Sequence, residues 1–305
     1  MPEGLDASLG PDQLKDLLTF LLTSPLEPAP IDIPGIPAAR TMAEVAAILG
    51  PKPVTAPPES NLAALRILLC DGPKDHGMNE HDYPLWQERW AQLLGLAPEV
   101  KVAIAHGFPT PEAMRQADVI VFFSDNPGWS AEKGNDLRQF QDRGGGLVYL
   151  HFAVDGHDAA DSLSRQIGLA WRAGPARFRH GPLDLAFDAS SSIAHGFSHL
   201  HLYDESYWEL QGDEKSIHLV ASGVEDGRPR PLMWTKENGA GRVFVSIPGH
   251  FTWTFDDPLF RILILRGICW VAHQPEDRLS ELATIGARTF TPAEARGTVA
   301  NVERK

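Results

Sequence analysis

Gly144-Gly145-Gly146-Leu147-Val148-Tyr149-Leu150-His151-Phe152-Ala153 is the stretch from which the fold is read. Three glycines lead into an apolar run that stops at a histidine. A continuous apolar run bounded by turn residues reads as a strand buried on both faces, the kind found inside a parallel sheet. His151 then stands at the carboxyl end of that strand, the edge where open α/β sheets bind their ligands. The glycines precede the strand, whereas a dinucleotide fingerprint follows one and opens a helix, so no nucleotide is expected.

Upstream, Arg66–Cys70, Val100–Ala105 and Val119–Ser124 are further short apolar strands. Helices separate them: Pro84–Leu94 with Trp86, Trp90, Leu93 and Leu94 on one face, a short one capped by Thr110 and Pro111, and one from Ser130 to Gln141. Strands alternating with helices imply a mainly parallel sheet covered on both faces, an α/β three-layer sandwich. Downstream, Leu183–Phe187, Ser206–Leu210, His218–Ser222, Pro231–Lys236 and Arg242–Ile247 follow one another with Gly, Asp and Pro between them, which reads as an antiparallel extension of the sheet. Pro258–Ala272 closes the domain as a strongly apolar helix. Residues 1–60 read as a helical, proline-rich extension. Its first helix starts at Pro11 with a Leu14, Leu17, Leu18, Leu21, Leu22 stripe. Its second has Thr41 and Glu44 as a capping box and Gly50 as its end. The organisation is therefore an extension over 1–60, one domain over 65–275 and a polar C-terminal tail over 276–305.

The chain has 305 residues, of which 43% are hydrophobic, and a formal net charge of −13. That charge argues against nucleic acid, whose phosphates need clustered Lys and Arg, and suits a small neutral or polar ligand. The first residues lack a basic region followed by an apolar core, so no signal peptide is expected. No apolar run approaches the roughly 20 residues of a membrane span. The location defaults to the cytoplasm, with the periplasm left open; so is a homo-oligomer. Cys70 and Cys269 lie far apart in apolar segments and read as buried thiols. No Cys-x-x-Cys-His occurs, so haem is not expected.

The chemistry gathers after strands. From Asp71 to Tyr83 the loop holds His76, His81, Asp71, Asp75, Asp82, Glu80 and Tyr83, dense for thirteen residues unless it is merely a solvated acidic loop. His151 is either a ligand-facing group or a hydrogen-bonded core histidine. His250 repeats the strand-then-histidine arrangement after Arg242–Ile247, with Phe251, Trp253 and Phe255 as an aromatic wall or as core. Glu205 follows Asp204 just before a strand, where a carboxylate near histidines serves as base, ligand or orienting group. His180 lies in a similar position, and His195, His199 and His201 read as structural or solvent-exposed.

These residues resemble the ThuA-like (trehalose utilisation) family, whose fold is that of class I glutamine amidotransferases. The resemblance rests on Gly146–His151, on Asp204-Glu205-Ser206-Tyr207, and on the run from Gly239 to His250; the loop from Asp75 to Tyr83 looks typical of one bacterial branch. It covers the chain from about Leu65 to Ala272. True amidotransferases carry a cysteine on the turn where this chain has His151, so thiolate chemistry on glutamine is not expected. The resemblance implies disaccharide catabolism, on keto-sugars supplied by sugar-oxidising dehydrogenases. The combined expectation is an enzyme on an oxidised (keto) disaccharide or glycoside, with a non-catalytic sugar-binding module as the rival. His76, His151, Glu205 and His250 are the expected catalytic group. His151, His250 and Glu205 double as ligands of zinc or a similar divalent metal. Asp75, His81, Tyr83, His180 and Trp253 are the expected substrate contacts.

Overall fold

The structure is a computed structural model that describes residues 35–50, 62–125 and 129–290. The helix expected from Pro11, the proline linker over 51–61 and the tail beyond 290 lie outside the described residues. In chain order the elements are β1 (Arg40–Thr41), α1 (Met42–Leu49), β2 (Leu65–Asp71), α2 (Tyr83–Gly95), β3 (Val100–His106), α3 (Pro111–Gln116), β4 (Val119–Phe123), α4 (Ala131–Asp142) and β5 (Gly146–Leu150). There follow α5 (Ala160–Ile167), β6 (Leu169–Ala170), β7 (Arg177–Phe187), β8 (His199–Trp208), β9 (Gln211–Gly212), β10 (His218–Glu225), β11 (Arg228–Asn238), β12 (Gly241–Ser246), α6 (Pro258–Val271) and β13 (Thr289–Phe290).

Nine strands form one sheet in the order β3-β2-β4-β5-β12-β11-β10-β7-β8. From β3 to β12 every neighbour is parallel; from β12 to β8 every neighbour is antiparallel. The expected mainly parallel sheet is thus a mixed one, because the antiparallel extension is as wide as the parallel part. Parallel strands need both faces covered. Here α2 and α6 pack on one face and α3, α4 and α5 on the other. β4 and β5 are buried along their whole length, as an apolar run in mid-sheet requires. α6 is buried nearly all round, and its two arginines are satisfied inside: Arg266 on Asp277 and Arg261 on the Phe255 carbonyl. A Cβ on Gly267 would stand 2.2 Å from the Phe244 ring, so only glycine lets α6 approach β12 this closely.

Two strands start well before their expected limits. β7 begins at Arg177 rather than Leu183, and β8 runs from His199 to Trp208 rather than starting at Ser206. The two make a long antiparallel ribbon whose backbone pairs with β10 at Ala186 and Phe187, next to its connecting end. Its other end carries His180, Glu205 and Tyr207 and is held to β10 by side chains, Arg179 and Ser206 both bonding Glu225. Residues 276–290, expected to trail over the surface, instead pack on α6: Glu276–Thr284 is a 3₁₀ helix that buries Leu279, Leu282 and Ala283. β13 then pairs in parallel with β1. Arg40 bonds Asp257 and the His201 carbonyl, so the segment before α1 is tied to the back of the crevice wall. The capping box of Thr41 and Glu44 forms as expected.

Candidate active site

Three histidines hang from the carboxyl edge of the parallel strands. His81 ends the loop after β2, His151 follows β5 directly, and His250 follows β12. The first loop turns His81 inward through positive φ at His76 (61°), Asn79 (65°) and His81 (43°). Lys74 holds this loop by donating to the carbonyls of Asp75, Gly77 and Glu80. The His81 amide donates to the His250 carbonyl at 3.0 Å and the Thr252 amide to the Asn79 carbonyl at 2.9 Å, so the two loops are stitched together. His151 sits at φ 51°, the sharp turn that starts a 3₁₀ helix. Gly249 has φ 142°, and a Cβ there would lie 3.3 Å from the His151 Cβ, so a glycine admits the two histidines side by side.

The ribbon brings the anion. Glu205 lies inside β8, not ahead of it as expected, and in the half of the ribbon that stands away from the sheet. Its neighbour Asp204 is fully buried and accepts hydrogen bonds from the amides of Glu205 (2.7 Å), Gly249 (3.0 Å) and His250 (3.0 Å), and from the Thr254 hydroxyl. One carboxylate thereby fixes the ribbon and the His250 loop to each other.

Four donor atoms converge. His81 Nε2 is 2.8 Å from His151 Nε2, and His151 Nε2 is 3.2 Å from both His250 Nδ1 and Glu205 Oε2. His250 Nδ1 is 2.9 Å from Glu205 Oε2. The outer nitrogens settle the tautomers. His151 Nδ1–H donates to the Ile247 carbonyl at 2.7 Å, and His81 Nδ1–H to Asp75 Oδ1 at 2.7 Å. Rings oriented this way turn both Nε2 atoms on the same point, where a proton or a cation between them relieves their repulsion, with the Tyr207 hydroxyl 2.9 Å from His151 Nε2. All four residues are buried, their ligand atoms lie within 4.8 Å of one another, and His250 Nε2 is buried with no hydrogen-bond partner among the described residues. Glu80 Oε1, 3.9 Å away, is the carboxylate facing it. Three imidazoles and a carboxylate, with His81 and His151 backed by fixed outer partners, are a donor set that fits zinc or a similar divalent ion.

The electrostatics agree. Burial, aided by the neighbouring imidazoles, pushes His81 down to about 3 against the pull of Asp75. Burial also disfavours the His250 cation, but Glu205, Asp204 and Glu80 outweigh it and raise that imidazole above its usual value. Glu205, which burial alone would raise, is held well below the carboxylate range by His151 and His250. Without a metal the cluster therefore favours a proton on His250 facing the Glu205 carboxylate, beside a neutral His81. Burial and the Glu205 charge raise Tyr207, so its hydroxyl keeps its proton and donates to Glu205 Oε2 at 2.9 Å.

Around this core stand the remaining expected residues. His76 is half-exposed, its ring 3.9 Å from that of His81 and its Nδ1 2.7 Å from Asp75. It belongs to the mouth, and His81 takes the place inside the cluster that the sequence suggested for His76. Tyr83 is buried with its hydroxyl 2.8 Å from His81 Nδ1, and Asp75 bridges the two loop histidines. His180 Nε2 is 2.9 Å from Glu205 Oε1, and the ring is open to solvent. Trp253 is buried behind Phe251, 4.2 Å between ring centroids, with its indole N–H on the Tyr203 carbonyl, so it offers no face to the crevice. Phe255 is core as well. His199 and His201 are exposed beside Asp184. A separate group, Asp125, Asp155 and His157, lies beyond the ends of β4 and β5. Burial raises the thiols, Cys269 up to about 12 and Cys70 further, and both are buried inside β2 and α6. Asp204 and Tyr207 contribute although the sequence reading assigns them no role of their own; both stand in the run Asp204-Glu205-Ser206-Tyr207 that carries the resemblance.

Compared with known proteins, residues 87–271 match the family described as ThuA, trehalose utilisation. None of the curated proteins compared matches the chain. Among solved structures, a ThuA-like protein from Parabacteroides merdae is 19% identical with a TM-score of 0.55, over 68% of this chain and 90% of that one. A ThuA-like protein from Bacteroides uniformis is 15% identical with a TM-score of 0.55, over 72% of this chain and 96% of that one. At these identities the likeness is one of fold.

Proposed function

The chain belongs to the ThuA family, linked to trehalose utilisation and so to carbohydrate metabolism, and on that premise we propose that it is a metal-assisted enzyme acting on an oxidised (keto) disaccharide or glycoside. One observation carries the reading: His81, His151, His250 and Glu205 aim four donor atoms at one buried point, with outer hydrogen bonds that leave His81 and His151 their inward lone pairs. A divalent ion held by these residues would supply Lewis acidity toward a substrate carbonyl or hydroxyl oxygen.

The chain's own groups would handle the proton. Glu205 uses Oε2 for the cluster and Oε1 for His180, so charge changes at the core are felt at an exposed imidazole. His180 is thus the group suited to take a proton next to a carbonyl, with Glu205 stabilising the imidazolium that forms, the logic of any base oriented by a carboxylate. His76, paired with Asp75, is a second accessible imidazole at the mouth. Buried Tyr207 and Tyr83 line the cluster with hydroxyls that stay protonated and keep water out. Thiolate chemistry has no group to carry it, since both cysteines are buried away from the crevice.

The test pairs metal analysis of the purified chain with turnover of 3-keto-sugars. A bound divalent ion and metal-dependent turnover are expected. Sugar affinity with no turnover on any keto-sugar would instead mean a binding module on the same fold.

A further inference from the structure

The free end of the β7–β8 ribbon presents two ranks of side chains on one face. Phe178 lies opposite Tyr207 and His180 opposite Glu205 in register, and residues opposite one another or two apart on a strand share a face. The β8 rank, Glu205 and Tyr207, is buried against the metal-ligand cluster. The β7 rank is open: the His180 side chain is 39% exposed and Phe178 57%. Phe178 is the one aromatic ring among the described residues left so exposed. Trp171 stands behind it, 6.0 Å from the Phe178 ring and 4.6 Å from that of Tyr207. Tyr207 in turn stacks on His151 at 4.9 Å and 25°. Aromatic surface therefore runs unbroken from the buried cluster to the solvent edge, and it ends on one bare ring.

We propose that Phe178, backed by Trp171 and flanked by His180, is the stacking platform for the second ring of a disaccharide whose first ring lies at the cluster. The proposal rests on the carbohydrate reading above and adds to it where the far ring binds. A pyranose has an apolar C–H face, which packs on the electron-rich face of an aromatic ring while its hydroxyls stay at the edge. His180 supplies that edge: its Nε2 is held by Glu205, and among the described residues its Nδ1 has no hydrogen bond.

The experiment is calorimetric titration of the zinc-supplemented full chain with trehalose and with glucose, for wild type, Phe178→Ala and Phe178→Trp, with zinc content and size-exclusion volume measured alongside. Phe178→Ala is expected to weaken trehalose by roughly 2- to 12-fold while glucose affinity, zinc content and elution volume stay as in wild type. Phe178→Trp restores trehalose. Equal trehalose affinity in wild type and Phe178→Ala overturns the platform and leaves the carbohydrate reading standing. Equal losses for both sugars overturn the placement at the far ring. A wild type that elutes as a dimer and becomes monomeric on Phe178→Ala makes the ring an interface between copies, again overturning it. A wild type that binds neither sugar but turns over 3-keto-sugars overturns the platform and leaves the carbohydrate reading standing; one that does neither sinks both.

Discussion

The crevice is built from two regions that work differently. At the edge of the parallel strands, three imidazoles hang directly from strand ends and are locked by backbone contacts: His151 by the Ile247 carbonyl, His250 by its amide on Asp204, His81 by its amide on the His250 loop. Across from them, the ribbon pairs its backbone with the sheet at Ala186 and Phe187, is held further out by Arg179 and Ser206 on Glu225, and reaches back with a carboxylate and a phenol. The edge therefore supplies nitrogen donors in a fixed frame, and the ribbon supplies the negative charge. A sheet edge alone makes a binding crevice; adding a tethered anion gives it a donor set that fits a cation.

That division can be broken by mutation, starting at the edge. His151→Ala removes the atom that touches all three other ligands. Turnover should fall by roughly 10²-fold or more with the far-ultraviolet circular dichroism unchanged, and zinc should no longer co-purify. Normal activity in this variant would return His151 to a structural role. On the ribbon, Asp204→Asn keeps the shape but loses the charge that gathers three backbone amides. Zinc affinity is expected to drop about 10- to 100-fold, the range for an outer partner, and Glu205→Gln should cost more because it acts on the ligand itself. Competition with a chromophoric chelator ranks the two, and the reverse order would undo the assignment of Glu205 as ligand.

The pH dependence sharpens the same contrast. His250 is raised above 6.5 by the anions around it, so below that raised value zinc must displace its proton. Affinity should then fall as the pH drops through that raised value, by up to about tenfold per unit of acidification, and chelator competition at pH 6, 7 and 8 gives the slope. A flat profile would mean that His250 is neutral before the metal arrives. The smallest effects belong far from both regions. Cys70→Ala and Cys269→Ala should cost packing, about 1 kcal/mol or somewhat more each in denaturant unfolding, and leave turnover intact; inactivation by a thiol reagent that substrate prevents would contradict this.

The edge was legible in the sequence because its signals are local. An apolar strand that stops at a histidine, twice, puts His151 and His250 on one line without any knowledge of the rest. The ribbon was not legible. His199-Leu200-His201-Leu202 alternates but carries polar groups on its outer face, so the pattern marks a strand only from Ser206 and puts Glu205 outside it. Its approach to the crevice depends on how a long hairpin leans from the sheet, which no residue pattern announces. His81 was missed as a cluster member for another reason. Five residues from His76, it shares no helical or strand face with it, and its inward turn comes from three positive-φ residues in one loop. Trp253 misled in the opposite direction: an aromatic next to a site histidine reads as a wall, yet its indole N–H finds a backbone carbonyl and the ring goes into the core.

The central claim is that three histidines of the sheet edge and one ribbon carboxylate hold a single cation. X-ray absorption at the zinc edge of the zinc-loaded full chain tests it most directly. The account predicts nitrogen and oxygen scatterers at about 2.0–2.1 Å with outer-shell scattering from three imidazoles, reduced when His81 or His250 is replaced by alanine. A spectrum without imidazole scattering, or one identical in the His151→Ala variant, would contradict it.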